Sequence, residues 1–304
     1  MRYPGLFVIV AMAALLGACS SKPVRVPTPI EPINASFTPE LLWETQVGSG
    51  IGEYYLRLMP AVGDKILYVA DHSGTLAALE QSTGERLWQV DLELPITGGV
   101  GIGAARLFVT TREGRVVALS TDDGHQLWES LVSTEVLSVP VNAGSHVLVH
   151  TTDGKLFALD SSTGRVQWTY DRSVPVLNLR GTSTPVVAQG VVFDTFSSGK
   201  LAVMQLQTGK VLLEQAMAIP QGRSDLERMI DADAGPLLDG NVVYVATYQG
   251  RIVALNLQTG RQLWERKASV YQPMAIDDKY LYVTDADDAI VAYDKRSGSP
   301  VWRN

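Results

Sequence analysis

The chain has 304 residues, 46% of them hydrophobic and 19% charged, with a net charge of −7. That length buries one large core or two modest ones. The 25 Lys and Arg residues are scattered, with no basic run to track a phosphate backbone, which argues against nucleic-acid binding.

The N-terminus reads as an export signal. Arg2 supplies a positive start, and Leu6 to Leu16 is an apolar run of about 11 residues, well short of the roughly 20 needed to cross a bilayer. The following Leu16-Gly17-Ala18-Cys19 resembles a bacterial lipobox. The resemblance implies cleavage before Cys19 and acylation of that residue. An ordinary signal peptide that happens to contain a cysteine is the alternative. Cys19 is the only cysteine, and lipid attachment accounts for a lone thiol in an exported chain. In such lipoproteins an Asp after the Cys usually retains the protein at the inner membrane. Ser20 stands there, so the resemblance implies the outer membrane, with the protein facing the periplasm. Residues 1–18 are read as signal peptide and 19–40 as acylated Cys plus tether. The tether is rich in Pro, Ser and Thr and is expected to be extended.

From residue 41 onward the sequence repeats. One twelve-residue pattern occurs six times, at 77–88, 117–128, 157–168, 202–213, 253–264 and 291–302. Its last positions are Trp88, Trp128, Trp168, Leu213, Trp264 and Trp302, spaced by 40, 40, 45, 51 and 38 residues. An apolar triplet such as Val117-Ala118-Leu119 ends one strand. A turn follows, with Gly84, Gly124, Gly164, Gly209, Gly260 or Gly298 at one place, where a hairpin needs positive φ. The next strand carries the Trp, expected to wedge between neighbouring sheets. Upstream lies another short strand in each copy, such as Leu67-Tyr68-Val69 or Val243-Tyr244-Val245. A further strand begins near Pro60, Pro140, Pro185, Pro236 or Pro273, where a missing N–H costs least. GGVGIG at 98–103 falls at such a place and reads as an inner strand of small residues rather than a phosphate loop. Four strands and no helix in about 40 residues describe a propeller blade.

The fullest copy, Ala158-x-Asp160-x-x-Thr163-Gly164-x-x-x-Trp168, resembles the repeat of pyrroloquinoline-quinone (PQQ) type propellers. The resemblance covers 43–304 and implies an all-β propeller of four-stranded blades. Trp43, in LLWETQV, looks like a fourth-strand Trp with no blade before it. The chain stops at Trp302-Arg303-Asn304, where other copies continue their strand. About six blades are visible, and the family most resembled has eight. A C-terminal truncation of one blade plus three strands is expected, with a closed six- or seven-bladed ring as the alternative.

Two connections exceed the repeat norm, both after a Trp-position strand, and so should neighbour each other on one rim. Residues 169–184 contain Leu177-Asn178-Leu179-Arg180-Gly181, with two leucines on one side if the segment is extended. They either fold over the core or face out. Residues 215–235 contain Ser224 and Glu227, a capping box that predicts a short helix from Leu226. Asp231-Ala232-Asp233 follows, a pair suited to binding a cation or a basic partner, capping the Pro236 turn, or pairing with Arg180.

VLNLRG after one Trp-ended repeat and a D-A-D loop in the following blade, on a lipoprotein PQQ-type propeller, resemble the BamB family. These are scaffold lipoproteins of the outer-membrane β-barrel assembly (BAM) machinery. The resemblance implies a non-enzymatic role with no cofactor. Implied partners are the POTRA domains of BamA, other BAM components and unfolded β-barrel substrates. It carries the BamA contact onto Leu177, Leu179, Arg180, Asp231 and Asp233. An apolar pair offers buried area, and Arg180 a directional contact.

The rival reading is a PQQ-dependent dehydrogenase, because the repeat is shared. Such enzymes hold the quinone over a divalent cation in the central funnel, often beside adjacent cysteines, and no suitable acidic cluster stands out in the inner strands here. His146 and His150 share a strand roughly 13 Å apart at 3.3 Å per residue, too far to share a metal. Surface or turn roles are expected for them and for His72 and His125. A carbohydrate- or peptidoglycan-binding propeller is a third reading with no specific sequence support.

Overall fold

The structure, a computed structural model, describes residues 37–304; the signal segment, Cys19 and the tether up to residue 36 lie outside the described residues. Residues 37–41 carry no regular element, and 42–304 form a separate compact unit. That unit is all-β, with six four-stranded antiparallel sheets and no helix among the described residues. The blades span 61–91, 96–131, 141–171, 186–216, 237–268 and 275–303, and in each the four strands pair in chain order.

Prolines mark the blade entrances one residue ahead of the strand: Pro60, Pro140, Pro185 and Pro236 each directly precede a first strand, and Pro273 stands two residues before one. Pro95 does the same for the second blade. The first strand there, Ile96–Gly103, has its register shifted twice and lies deep between its neighbours. A Cβ added to Gly98 or Gly101 would come within 2.4 Å of the Ser138 or Pro140 carbonyl oxygen, so neighbouring backbone excludes side chains there.

The repeated pattern builds the hairpin between third and fourth strands. All six turn glycines take φ of 65–74°, a region only glycine enters freely. A bulge falls at the same place in each hairpin, one residue past the pair Ala78–Trp88 and its equivalents. The Asp of the fullest copy closes its turn: Asp160 accepts the Ser162 and Thr163 N–H groups at 3.0 and 2.9 Å. The Ser162 and Thr163 hydroxyls donate to the same carboxylate, and together these bonds hold it down at about 2.

Five of the six Trp residues reach into the blade that follows them. Trp43, Trp88, Trp128, Trp168 and Trp264 donate Nε1–H to the carbonyls of Gln81, Thr121, Ser161, Leu206 and Lys295 at 2.7–3.0 Å. Their rings lie so close on Gly84, Gly124, Gly164, Gly209 and Gly298 that an added Cβ would sit 2.3–2.7 Å away. The expected wedge is therefore an indole laid on a glycine and tied to a carbonyl. Trp43 performs it from a segment with no regular strand assignment. Middle strands such as His146–His150 are wholly buried, whereas fourth strands are largely exposed.

Two sequence expectations change. The capping box forms, with Glu227 accepting the Ser224 N–H and Ser224 Oγ accepting the Glu227 N–H, both at 3.2 Å. No helix grows from it; residues 225–228 make a single turn. A lone turn does not recover the cost of helix nucleation, and the chain is soon drawn into a bridge between Asp231 and Tyr248. His146 and His150 are buried in a middle strand rather than at a surface or turn. His150 Nδ1 lies 2.9 Å from the fully buried Asp194 Oδ2, outside hydrogen-bond alignment.

Candidate functional site

The connections after the third and fourth blades leave from corresponding strand ends, so residues 172–185 and 217–236 meet. Asp231 Oδ2 accepts the Leu179 N–H at 2.7 Å, and its Oδ1 accepts the Ala232 N–H at 2.8 Å. Asp233 packs on Gly181 so tightly that a Cβ there would lie 2.0 Å from its Oδ2. The two segments expected to share a rim are thus joined through the residues that drew attention to them.

The five residues do not play one role. Leu177 is 44% exposed and Val176 beside it fully so, while Leu179 is half-buried. The chain bends at 176–177, and the two leucines differ in exposure, so they do not present one flat apolar face. Asp231 and Asp233 are 0% and 6% exposed. Both carboxyls point into the joint: Asp231 holds the loop that carries Leu179, and Asp233 packs on Gly181. The bridge to Tyr248, whose N–H reaches the Asp231 carbonyl at 2.7 Å, pulls them in.

Burial pushes the Asp231 carboxyl up, and backbone donors partly offset it. Burial first, then the charge of Asp231, pushes Asp233 up to about 9, with Arg57 opposing. Two buried carboxylates side by side cannot both ionise. Asp233 holds its proton and shares a hydrogen bond with Asp231, leaving the Asp231 carboxylate free to accept the Leu179 amide.

Arg180 does not pair with either Asp. Its Nη2 lies 2.6 Å from Glu135 Oε1, on the connection that follows the second blade. Its side chain is half exposed, with guanidinium donors left for another acceptor. Beneath the loop, Ser183 Oγ donates to Asp194 Oδ1 at 2.5 Å, and Thr195 Oγ1 donates to the Ala232 carbonyl at 2.6 Å. All four are buried, so both rim segments are tied to the fourth blade's second strand. Above it, Val176, Leu177, Pro220, Arg228 and Met229 line an open depression of about 370 Å³.

A second cavity, about 340 Å³, lies among first-strand ends from several blades and is lined by Arg57, Met59, Val139, Asp233, Pro236 and Met274. The lining is mainly apolar and offers a single carboxyl, Asp233, whose pKa burial and the neighbouring Asp231 push up, a poor donor set for a divalent cation. Among the described residues, no three His, Cys, Asp or Glu side chains converge to hold a metal ion.

Sequence reasoning missed Val176, the most exposed apolar residue of the rim, and Glu135, the partner of Arg180. Val176 opens the VLNLRG pattern but was not singled out within it. Glu135 sits in a connection of ordinary length with nothing to mark it.

A family model described as "Outer membrane protein assembly factor BamB" matches residues 38–98 and 72–304. The outer membrane protein assembly factor BamB of Pseudomonas aeruginosa is 49% identical over 300 residues, covering 97% of this chain and 78% of the relative. The protein of the same name from Alkalilimnicola ehrlichii is 51% identical, covering 97% and 77%. The crystal structure of BamB from Moraxella catarrhalis superposes with a TM-score of 0.76 at 24% identity, covering 81% of this chain and 75% of that one, which supports the propeller fold.

Proposed function

The chain belongs to the family of outer membrane protein assembly factor BamB, and from that premise we propose that it is a non-enzymatic scaffold lipoprotein that helps assemble β-barrel proteins into the outer membrane. In this reading Cys19 carries the lipid, the propeller faces the periplasm, and the rim of the third and fourth blades docks the POTRA domains of BamA. The observation that carries it is the presentation of Leu177 and Arg180 on a loop pinned from below by Asp231. An exposed leucine with apolar neighbours supplies area to bury, and a half-exposed guanidinium supplies direction. A loop already ordered loses less entropy on docking. Leu179, half-buried, positions its neighbours, as do Asp231 and Asp233.

In cells that depend on this chain, the combined Leu177→Ala, Leu179→Ala and Arg180→Ala variant is expected to lower outer-membrane β-barrel levels while the chain's own abundance holds. Undiminished barrel levels would contradict the assignment of this rim.

A further inference from the structure

Four of the five junctions between successive blades are closed by a Trp from the preceding fourth strand, Trp43 seats on the first blade in the same way, and one junction is left without a Trp. Between the fourth and fifth blades the position is held by Leu213. Leu213 does not reach across: nothing lies within 4 Å of a Cβ added to Gly260, whereas at Gly84, Gly124, Gly164, Gly209 and Gly298 an indole lies within 2.7 Å. A groove of about 490 Å³ opens instead, lined by Phe193, Val203, Leu212, Leu213, Leu257 and Gly260 among others.

Every other part of the indole seat is present. In four blades an aromatic residue at the centre of the second strand faces the blade's own Trp, with centroids 5.8–6.0 Å apart: Tyr68, Phe108, Tyr244 and Tyr282. Phe193 holds the same register in the fourth blade, cross-paired with Val203, which faces Leu213. It has no Trp beside it. The carbonyl equivalent to Gln81, Thr121, Ser161, Leu206 and Lys295 is that of Leu257, which accepts no side-chain hydrogen bond among the described residues. Val203 replaces the Ala that faces Trp in the other blades, but its added methyls leave the groove open. The exposed Leu212 extends the apolar floor to the surface.

We propose that this junction is a receptor for a tryptophan side chain supplied from outside, borne on an extended segment of a partner polypeptide. The indole would lie on Gly260 against Phe193 and donate its N–H to the Leu257 carbonyl, as five internal tryptophans do at their own junctions. The volume sits at the lower end of ordinary binding pockets, with room for the ring and the residues flanking it. The seat is preformed, so binding does not require the blades to part.

The test uses the full chain and two short blocked Val- and Thr-rich peptides that differ only in a central Trp or Ala. Calorimetry is expected to show the Trp peptide binding roughly tenfold more tightly or better, the scale of an aromatic anchor in a fitted pocket. The double variant Val203→Ala, Leu213→Trp restores the pair found in the other blades. It is expected to abolish that binding and raise the unfolding midpoint, because the chain then fills its own seat. A diazirine on the Trp peptide should label residues within 188–213 and 240–260 of the unaltered chain, a readout that does not depend on the variant folding. Equal affinity for the two peptides, binding that survives the double variant, or labelling elsewhere would overturn the proposal.

Discussion

Asp233 can serve the rim only while protonated. Its folded pKa, near 9, stands above the roughly 3.9 of an unfolded aspartate, so the folded state keeps a proton that the unfolded state has released. Stability from this group is therefore greatest at low pH and declines as pH rises from about 4 to about 9. Asp233→Asn keeps a donor toward Asp231 and cannot ionise. It is expected to flatten that part of the stability-versus-pH profile, measured by denaturant midpoints across the range; an unchanged slope would contradict the assignment. Asp231→Ala removes the acceptor of the Leu179 amide, and a buried donor left unpaired costs about 1–3 kcal/mol. Hydrogen exchange at Leu179 should quicken by one to two orders of magnitude, with little change in the middle strands. The sequence showed these residues as an acidic pair near a leucine-rich loop. It did not show their burial, because that depends on Tyr248 drawing Asp231 inward and on Gly181 leaving room for Asp233, contacts across 17 and 52 residues of chain. Arg180 illustrates the same limit: Asp231 and Asp233 were its visible partners, yet Glu135 claims it.

At the scale of the element, the unit is the junction of one strand's Trp with the next hairpin's glycine. This was legible because both residues recur at a fixed place and each has a single physical reason to be there. Trp128, 9% exposed, bridges the second and third blades. Trp128→Ala leaves a cavity and an unpaired Ser161 carbonyl, and is expected to cost about 3–5 kcal/mol, read as a lowered denaturant midpoint with unchanged β content. A loss below about 1 kcal/mol would show that the junction adds little to the strand pairing within each blade. The short helix expected after Ser224 shows where local rules end: its cap forms as read, but the following residues are needed elsewhere in the fold. Leu213 was visible as a departure from the repeat. Its consequence, an open seat with its glycine, carbonyl and aromatic wall intact, appears only when neighbouring blades are placed side by side.

For the whole molecule, the propeller separates the stability of the core from the connections at the blade ends. Each sheet buries its middle strands against its neighbours, so connections at the blade ends can vary without disturbing the core. The rim segments use that freedom, and buried Ser183, Asp194, Thr195 and Asp231 return them to the fourth blade's frame. Fold class and blade count within 61–303 followed from periodicity alone, because a propeller repeats one solution. The division of labour on the rim did not, since exposed and buried members of the same pattern look alike in sequence. Whether this rim is the docking surface is decided by the affinity of the lipid-free mature chain for the BamA periplasmic region. The comparison is between the unaltered protein and the Leu177→Ala, Arg180→Ala variant. The unaltered chain is expected to bind, and the variant to bind at least about tenfold more weakly, with circular dichroism unchanged. Equal affinity of the two well-folded proteins would place the docking surface elsewhere on the propeller.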